Sequence, residues 1–210
     1  PLPDRADFAR RVGEWGIGPQ TQVVVYDNLG AMYAARAWWM LRWLGHEQVA
    51  VLDGGFQAWQ AAGRALTTEL PVLRPTTFTA KVRDTMVDAD YVQAFLQTSR
   101  MHLVDARSPD RFRGENETID PVGGHIPGAV NRFFRENLRA DGRFKPAAEL
   151  RAEWLMVLAG ASPEQVVHQC GSGVSACHNI LAMEISGLPG SRLYAGSWSE
   201  WCTDCGRPVA

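Results

Sequence analysis

The chain has 210 residues, 23 acidic and 21 basic, for a formal net charge of −2. That length suits one to two domains of about 150 residues, and the balanced charge, with no basic run, argues against a nucleic-acid or anionic-membrane surface. A hydrophobic share of 46% beside 21% charged residues excludes a disordered chain. The longest apolar stretch, residues 31–44, is broken by Arg36 and Arg42, so no bilayer span is expected. The opening PLPDRADFARR lacks the apolar core of a secretory signal, and four unevenly spaced cysteines do not make a disulfide framework. A reducing, cytoplasmic setting is the expectation.

In chain order, residues 5–15 read as a helix and the β-branched run at 23–26 as a buried strand. A glycine-containing turn and a helix over 31–44 follow, ended by Gly45. A second strand at 49–52 and a short helix from Phe56 complete this half. Residues 67–83, with Pro71 and Pro75, read as a linker. Beyond it come a strand at 102–104, a helix at 147–158, a strand at 166–168, a helix at 175–186 ended by Gly187, a strand at 192–194 and a short helix from Trp198. Alternating strand and helix predicts an α/β fold with parallel sheets covered on both faces.

The two halves repeat one another. Val23-Val24-Val25-Tyr26-Asp27-Asn28-Leu29-Gly30 aligns with Val166-Val167-His168-Gln169-Cys170-Gly171-Ser172-Gly173, 143 positions apart. Leu52-Asp53-Gly54-Gly55-Phe56 aligns with Tyr194-Ala195-Gly196-Ser197-Trp198, 142 apart. The second copy carries extra material before its helix that has no counterpart before Pro1, so the first copy reads as incomplete. The division expected is a partial domain over 1–70, a linker over 71–85 and a complete domain over 86–210. Trp38, Trp39 and Trp43 fit core packing on the first copy's helix.

The chemistry concentrates at Cys170-Gly171-Ser172-Gly173-Val174-Ser175-Ala176, between a strand and a helix. Such a loop turns backbone N–H groups inward, and the helix N-terminus adds roughly half a positive charge. A thiol there, ordinarily of pKa about 8.5, falls to about 3.5–7.5, which predicts an ionised, accessible sulfur at position 170. Asp27 replaces it in the first copy, which therefore has no nucleophile. A phosphatase loop would need arginine where Ala176 stands. A cysteine protease would need a histidine base, but His168 lies in a strand and His178 on a helix, so both read as packing residues. Cys202-Thr203-Asp204-Cys205 has no second pair to complete a zinc site, leaving a plain C-terminal segment or a redox pair.

Together with the Cys170 loop, Asp105-Ala106-Arg107, Arg111-Phe112-Arg113-Gly114, Gly124-His125-Ile126-Pro127-Gly128-Ala129 and Gly196-Ser197-Trp198-Ser199-Glu200-Trp201 resemble the two-domain rhodanese family of sulfurtransferases. The resemblance spans essentially the whole chain. It implies tandem rhodanese-like domains, a persulfide on Cys170, and transfer of that sulfur to cyanide, a small thiol or a thioredoxin-type acceptor, with no metal or organic cofactor. The pattern Cys-Gly-Ser-Gly-Val resembles the branch that uses 3-mercaptopyruvate rather than thiosulfate. It implies catalytic roles for Cys170 and Ser172, a donor site at Gly171, Gly173, Val174 and Ser175, and an Arg111 that binds the donor carboxylate. Arg107 is expected to pair with a neighbouring carboxylate, and the His125 motif to set a turn. Asp120 stands where that branch often has a second arginine, and is expected to repel an anionic donor. The family's first-domain aspartate and histidine would fall upstream of Pro1, so this chain by itself is expected to be impaired or inactive beside an upstream-extended version. Equal rates for the two would overturn that expectation. Two other readings remain open: a thiosulfate:cyanide sulfurtransferase, and a non-catalytic rhodanese-like binding module.

Overall fold

Valine runs form the sheet of the first half, as β-branched side chains suit a pleated, half-buried surface. In the computed structural model, which describes residues 2–210, the chain folds as two units, Leu2–Asp84 and Thr85–Ala210.

The first unit contains α1 (Arg5–Glu14), β1 (Val23–Val25), α2 (Met32–Trp43), β2 (Val49–Val51) and α3 (Gly55–Ala61). The Asp4 carboxylate caps α1 by accepting the Ala6 and Asp7 N–H groups. β1 and β2 pair in parallel, Val23 opposite Val49. Trp38, Trp39 and Trp43 of α2 are all buried, and the rings of Trp39 and Trp43 stack at 5.9 Å. They pack the core. Contrary to the expected cover on both faces, Val24 and Tyr26 are 52% and 58% exposed, because successive strand residues point to opposite faces and this sheet has only two strands. Residues 62–84 contain no helix or strand, yet Thr76 N–H donates to Gly13 C=O and Lys81 N–H to Leu44 C=O. A Cβ on Gly13 would stand 2.4 Å from the Thr76 oxygen, so the stretch expected as a linker lies tightly on the first unit.

The second unit runs β3 (Met86–Val87), α4 (Ala89–Ala94), β4 (His102–Asp105), α5 (Pro109–Phe112), β5 (Val130–Asn131), α6 (Ala147–Leu158), β6 (Val166–Gln169), α7 (Ala176–Ile185), β7 (Arg192–Tyr194) and α8 (Ser197–Trp201). The sheet order is β3-β7-β6-β4-β5, with every pair parallel. β3 and β5, two residues each, are too short to leave a period in the sequence. β6 is buried along its whole length, as a strand covered on both faces should be. One core layer gathers Val92, Leu103, Ile126, Val167, Tyr194, Trp198 and Trp201. Between β4 and β6 the strand order reverses, and in an open parallel sheet the crevice beyond the carboxyl ends at such a point is where ligands bind. Asp105-Ala106-Arg107 follows β4 and the Cys170 loop follows β6, so both motifs meet at that edge.

Candidate active site

Cys170 follows directly on β6, and the loop carries the chain into α7, whose first eight residues are buried. The main chain of Cys170 and Gly171 is stitched to the start of α8. Cys170 N–H donates to Ser197 Oγ at 3.1 Å, Trp198 N–H to Cys170 C=O at 3.0 Å, and Ser199 N–H to Gly171 C=O at 2.9 Å. These bonds draw residue 170 inward, and it is 2% exposed, against the expectation of an accessible sulfur. Ser172 is the exposed residue of the loop; Gly171 and Val174 are half-buried, while Gly173 and Ser175 are buried. Gly173 has φ +76°, and a Cβ there would stand 2.6 Å from Ala195 C=O, so only glycine fits.

The first copy shows what this loop does to a negative charge. Asp27 Oδ1 accepts Leu29 and Ala31 N–H, both at 2.9 Å, and Oδ2 accepts Tyr33 N–H at 2.8 Å and Ala34 N–H at 2.9 Å. Partial burial pushes the carboxyl upward, but the N–H groups of Ala34, Leu29, Tyr33 and Ala31 outweigh it and hold it below the usual carboxylate range. By the repeat, the amides of Leu29, Ala31 and Tyr33 correspond to those of Ser172, Val174 and Ala176. Those three donate to no acceptor among the described residues. The fourth amide, that of Ala34, corresponds to Cys177, whose N–H donates to Val174 C=O at 3.1 Å, so three of the four donors that hold Asp27 have unbonded counterparts in the loop after Cys170.

Arginines and carboxylates line the adjoining edge. Arg107 is buried and grips the Asp105 carboxylate, Nη2 to Oδ2 at 2.8 Å and Nε to Oδ2 at 3.0 Å. Its Nη2 also donates to Gly124 C=O at 2.8 Å, and its guanidinium lies 4.8 Å from the Trp198 ring centroid. Arg111 lies flush against the cysteine loop: a Cβ on Gly171 would stand 3.6 Å from its Nη1. Nε and Nη2 of Arg111 donate to Glu117, Nη2 at 2.8 Å, and Nη2 also reaches Asp120 at 3.2 Å. Nη1 donates to no acceptor among the described residues. Asp120 thus faces Arg111, and its charge is compensated there. The repulsion expected of it is correspondingly reduced. The Glu117 carboxyl is raised by burial but ends below its usual range, because Arg111 and the Ile119 and Asp120 amides bond to it.

Glu117 and Ser197 carry contacts that sequence reading gave no role. Ser197 had a signal, since it stands where the first copy has glycine; Glu117 sits in a loop without periodicity and had none. His168 is buried, its Nε2 3.2 Å from Met183 Sδ, and burial, with His102 a lesser cause, brings it down to about 3. It is neutral at physiological pH and packs. His178 stacks on Phe144 at 4.6 Å, also in the interior. Burial, then Asp120, pushes the Cys202 thiol up, the opposite of what a reactive thiol needs. His125 Nδ1 lies 2.9 Å from Phe112 C=O and its ring stacks on Phe112 at 3.8 Å, a turn-holding arrangement. Among the described residues no group of three His, Cys, Asp or Glu side chains is gathered that could hold a metal ion, and no helix is long and apolar enough to cross a membrane.

Tandem parallel α/β units, the second with a cysteine loop set between a buried strand and a helix, define the class of fold and site. A family profile described as "Rhodanese-like domain" matches residues 1–62 and 88–204. Over its whole length the chain is 50% identical to a "Probable 3-mercaptopyruvate sulfurtransferase" of Pseudomonas aeruginosa, covering 75% of that protein. It is 42% identical to the "Thiosulfate sulfurtransferase" of Cricetulus griseus, over 95% of this chain and 69% of that protein. The solved 3-mercaptopyruvate sulfurtransferase from Leishmania major superposes with a TM-score of 0.86 at 34% identity, over 100% of this chain and 59% of that one. The chain belongs to the rhodanese-like domain family.

Proposed function

We propose that this chain is a sulfurtransferase that takes a sulfane sulfur from 3-mercaptopyruvate and passes it, through a Cys170 persulfide, to a thiol or cyanide acceptor. The observation that carries this reading is the carboxylate of Asp27 held by four amides, at the place where the second copy has Cys170. A loop that depresses a carboxyl favours a thiolate and a persulfide anion by the same electrostatics.

The Cys170 thiolate attacks the donor sulfur; an S–S bond forms as the C–S bond breaks. The electron pair leaves on pyruvate enolate, and the donor thiol's proton moves through Ser172 to its carbon, giving pyruvate. Cyanide then attacks the outer sulfur and leaves as thiocyanate, restoring the thiolate; a small thiol or a reduced thioredoxin-type protein takes the sulfur in the same way. Arg111 Nη1 pairs with the donor carboxylate, while Glu117 and Asp120 hold the rest of the guanidinium in place. Gly171, Gly173, Val174 and Ser175 supply the floor of the donor site. The sulfur is carried covalently, so no cofactor enters the scheme, and the reducing cytoplasm is the compartment that suits a free thiolate.

The branch is 3-mercaptopyruvate rather than thiosulfate because a dianion suits two fixed cations in the loop, whereas Gly171 and Ser172 are neutral. The test is a single exposure of the protein to each donor, with pyruvate assayed and the Cys170 peptide weighed. One added sulfur and one pyruvate from 3-mercaptopyruvate is the expected result. Uptake from thiosulfate alone would replace this donor with the other, and uptake from neither would leave a binding module.

A further inference from the structure

Ser197 adopts a left-handed backbone conformation, φ +56°, at a fully buried position. A residue with a Cβ is disfavoured there, and glycine is the ordinary choice. The first copy makes that choice. Its counterpart is Gly55, φ +61°, and the neighbouring contact is the same in both copies: Phe56 N–H donates to Asp27 C=O at 3.0 Å, as Trp198 N–H does to Cys170 C=O. Glycine therefore satisfies this turn. What serine adds is its hydroxyl, which accepts Cys170 N–H at 3.1 Å and donates to Tyr194 C=O at 2.9 Å.

We propose that Ser197 is a positioning residue for Cys170, kept despite its unfavourable backbone because its hydroxyl fixes the orientation of the cysteine main chain. The bond ties the carboxyl end of β6 to that of β7 through one atom. It restrains the backbone at Cys170, and so favours one direction of the Cα–Cβ bond relative to the amides of Ser172, Val174 and Ala176. A sulfur misdirected by even a fraction of an ångström loses part of its stabilisation as an anion, since such hydrogen bonds are steep in distance and angle. The inference rests on Cys170 being the sulfur carrier.

Two substitutions separate this role from a purely structural one. Ser197→Gly removes the hydroxyl and relieves the backbone, whereas Ser197→Ala removes the hydroxyl and keeps the unfavourable φ. Their melting temperatures should move apart, glycine at or above the parent and alanine below glycine. Both should nevertheless alkylate Cys170 with iodoacetamide about tenfold more slowly at neutral pH, with the pH midpoint of that reaction moved up. Peptide mass spectrometry distinguishes Cys170 from the exposed Cys205. Parent-like alkylation rate and midpoint in Ser197→Gly overturn the inference. If the parent takes up no sulfur from 3-mercaptopyruvate while alkylation of Cys170 is still slowed in both variants, the positioning role stands and the reading of function falls.

Discussion

Cys170→Ser is expected to lower sulfur uptake from 3-mercaptopyruvate by about 10³-fold or more, to the background of the assay, while the protein remains folded. The exchange of sulfur for oxygen is small in volume, and the three main-chain bonds of Cys170 and Gly171 to α8 do not involve the side chain. A hydroxyl in the same cradle ionises far less readily than a thiol and cannot hold a persulfide. The other cysteines offer no substitute. Cys177 is buried, with its Sγ donating to Gly173 C=O at 3.4 Å, and burial keeps Cys202 protonated. Cys205, the one exposed cysteine among the described residues, lies beyond α8. The measurement is the mass of each cysteine peptide after one exposure to donor, with pyruvate released in parallel. Sulfur on any peptide with undiminished pyruvate release in Cys170→Ser would remove the basis of the proposed mechanism.

Asp27→Ala should destabilise the first unit by about 2 kcal/mol at neutral pH. Hydrogen bonds to a charged group contribute about 1.5–3 kcal/mol each when buried, and four are lost, but the site is half-buried and solvent takes up part of the loss. Asp27→Asn should cost less, because the amide oxygen still accepts. The pH dependence has a definite sign. The folded carboxyl titrates below its ordinary value, so the unfolded state binds the proton first. The stabilisation is complete above the unfolded aspartate value of about 3.9 and disappears as pH falls through the lower folded value. Thermal melts of parent and Asp27→Ala should therefore differ most at neutral pH and converge in acid. A gap that is absent at neutral pH, or that widens on acidification, contradicts the role assigned to this carboxylate.

Sequence alone determined the repeated strand–loop–helix unit and the exchange of cysteine for aspartate at its centre. Valine runs, the glycines at 30 and 173, and the helix ends at Gly45 and Gly187 act over a few residues, and local preferences of that kind are written directly in the chain. Tertiary structure alone decided that Cys170 is buried, that Arg111 is held by Glu117 and Asp120, and that residues 71–84 lie against α1 and α2. It also decided that Ser197 bonds to an amide 27 positions earlier. Those contacts form because β6 and β7 are adjacent in the sheet and because irregular loops fold back on themselves. Neither event leaves a periodic trace, since the partners of a side chain depend on what the packing of distant segments brings beside it.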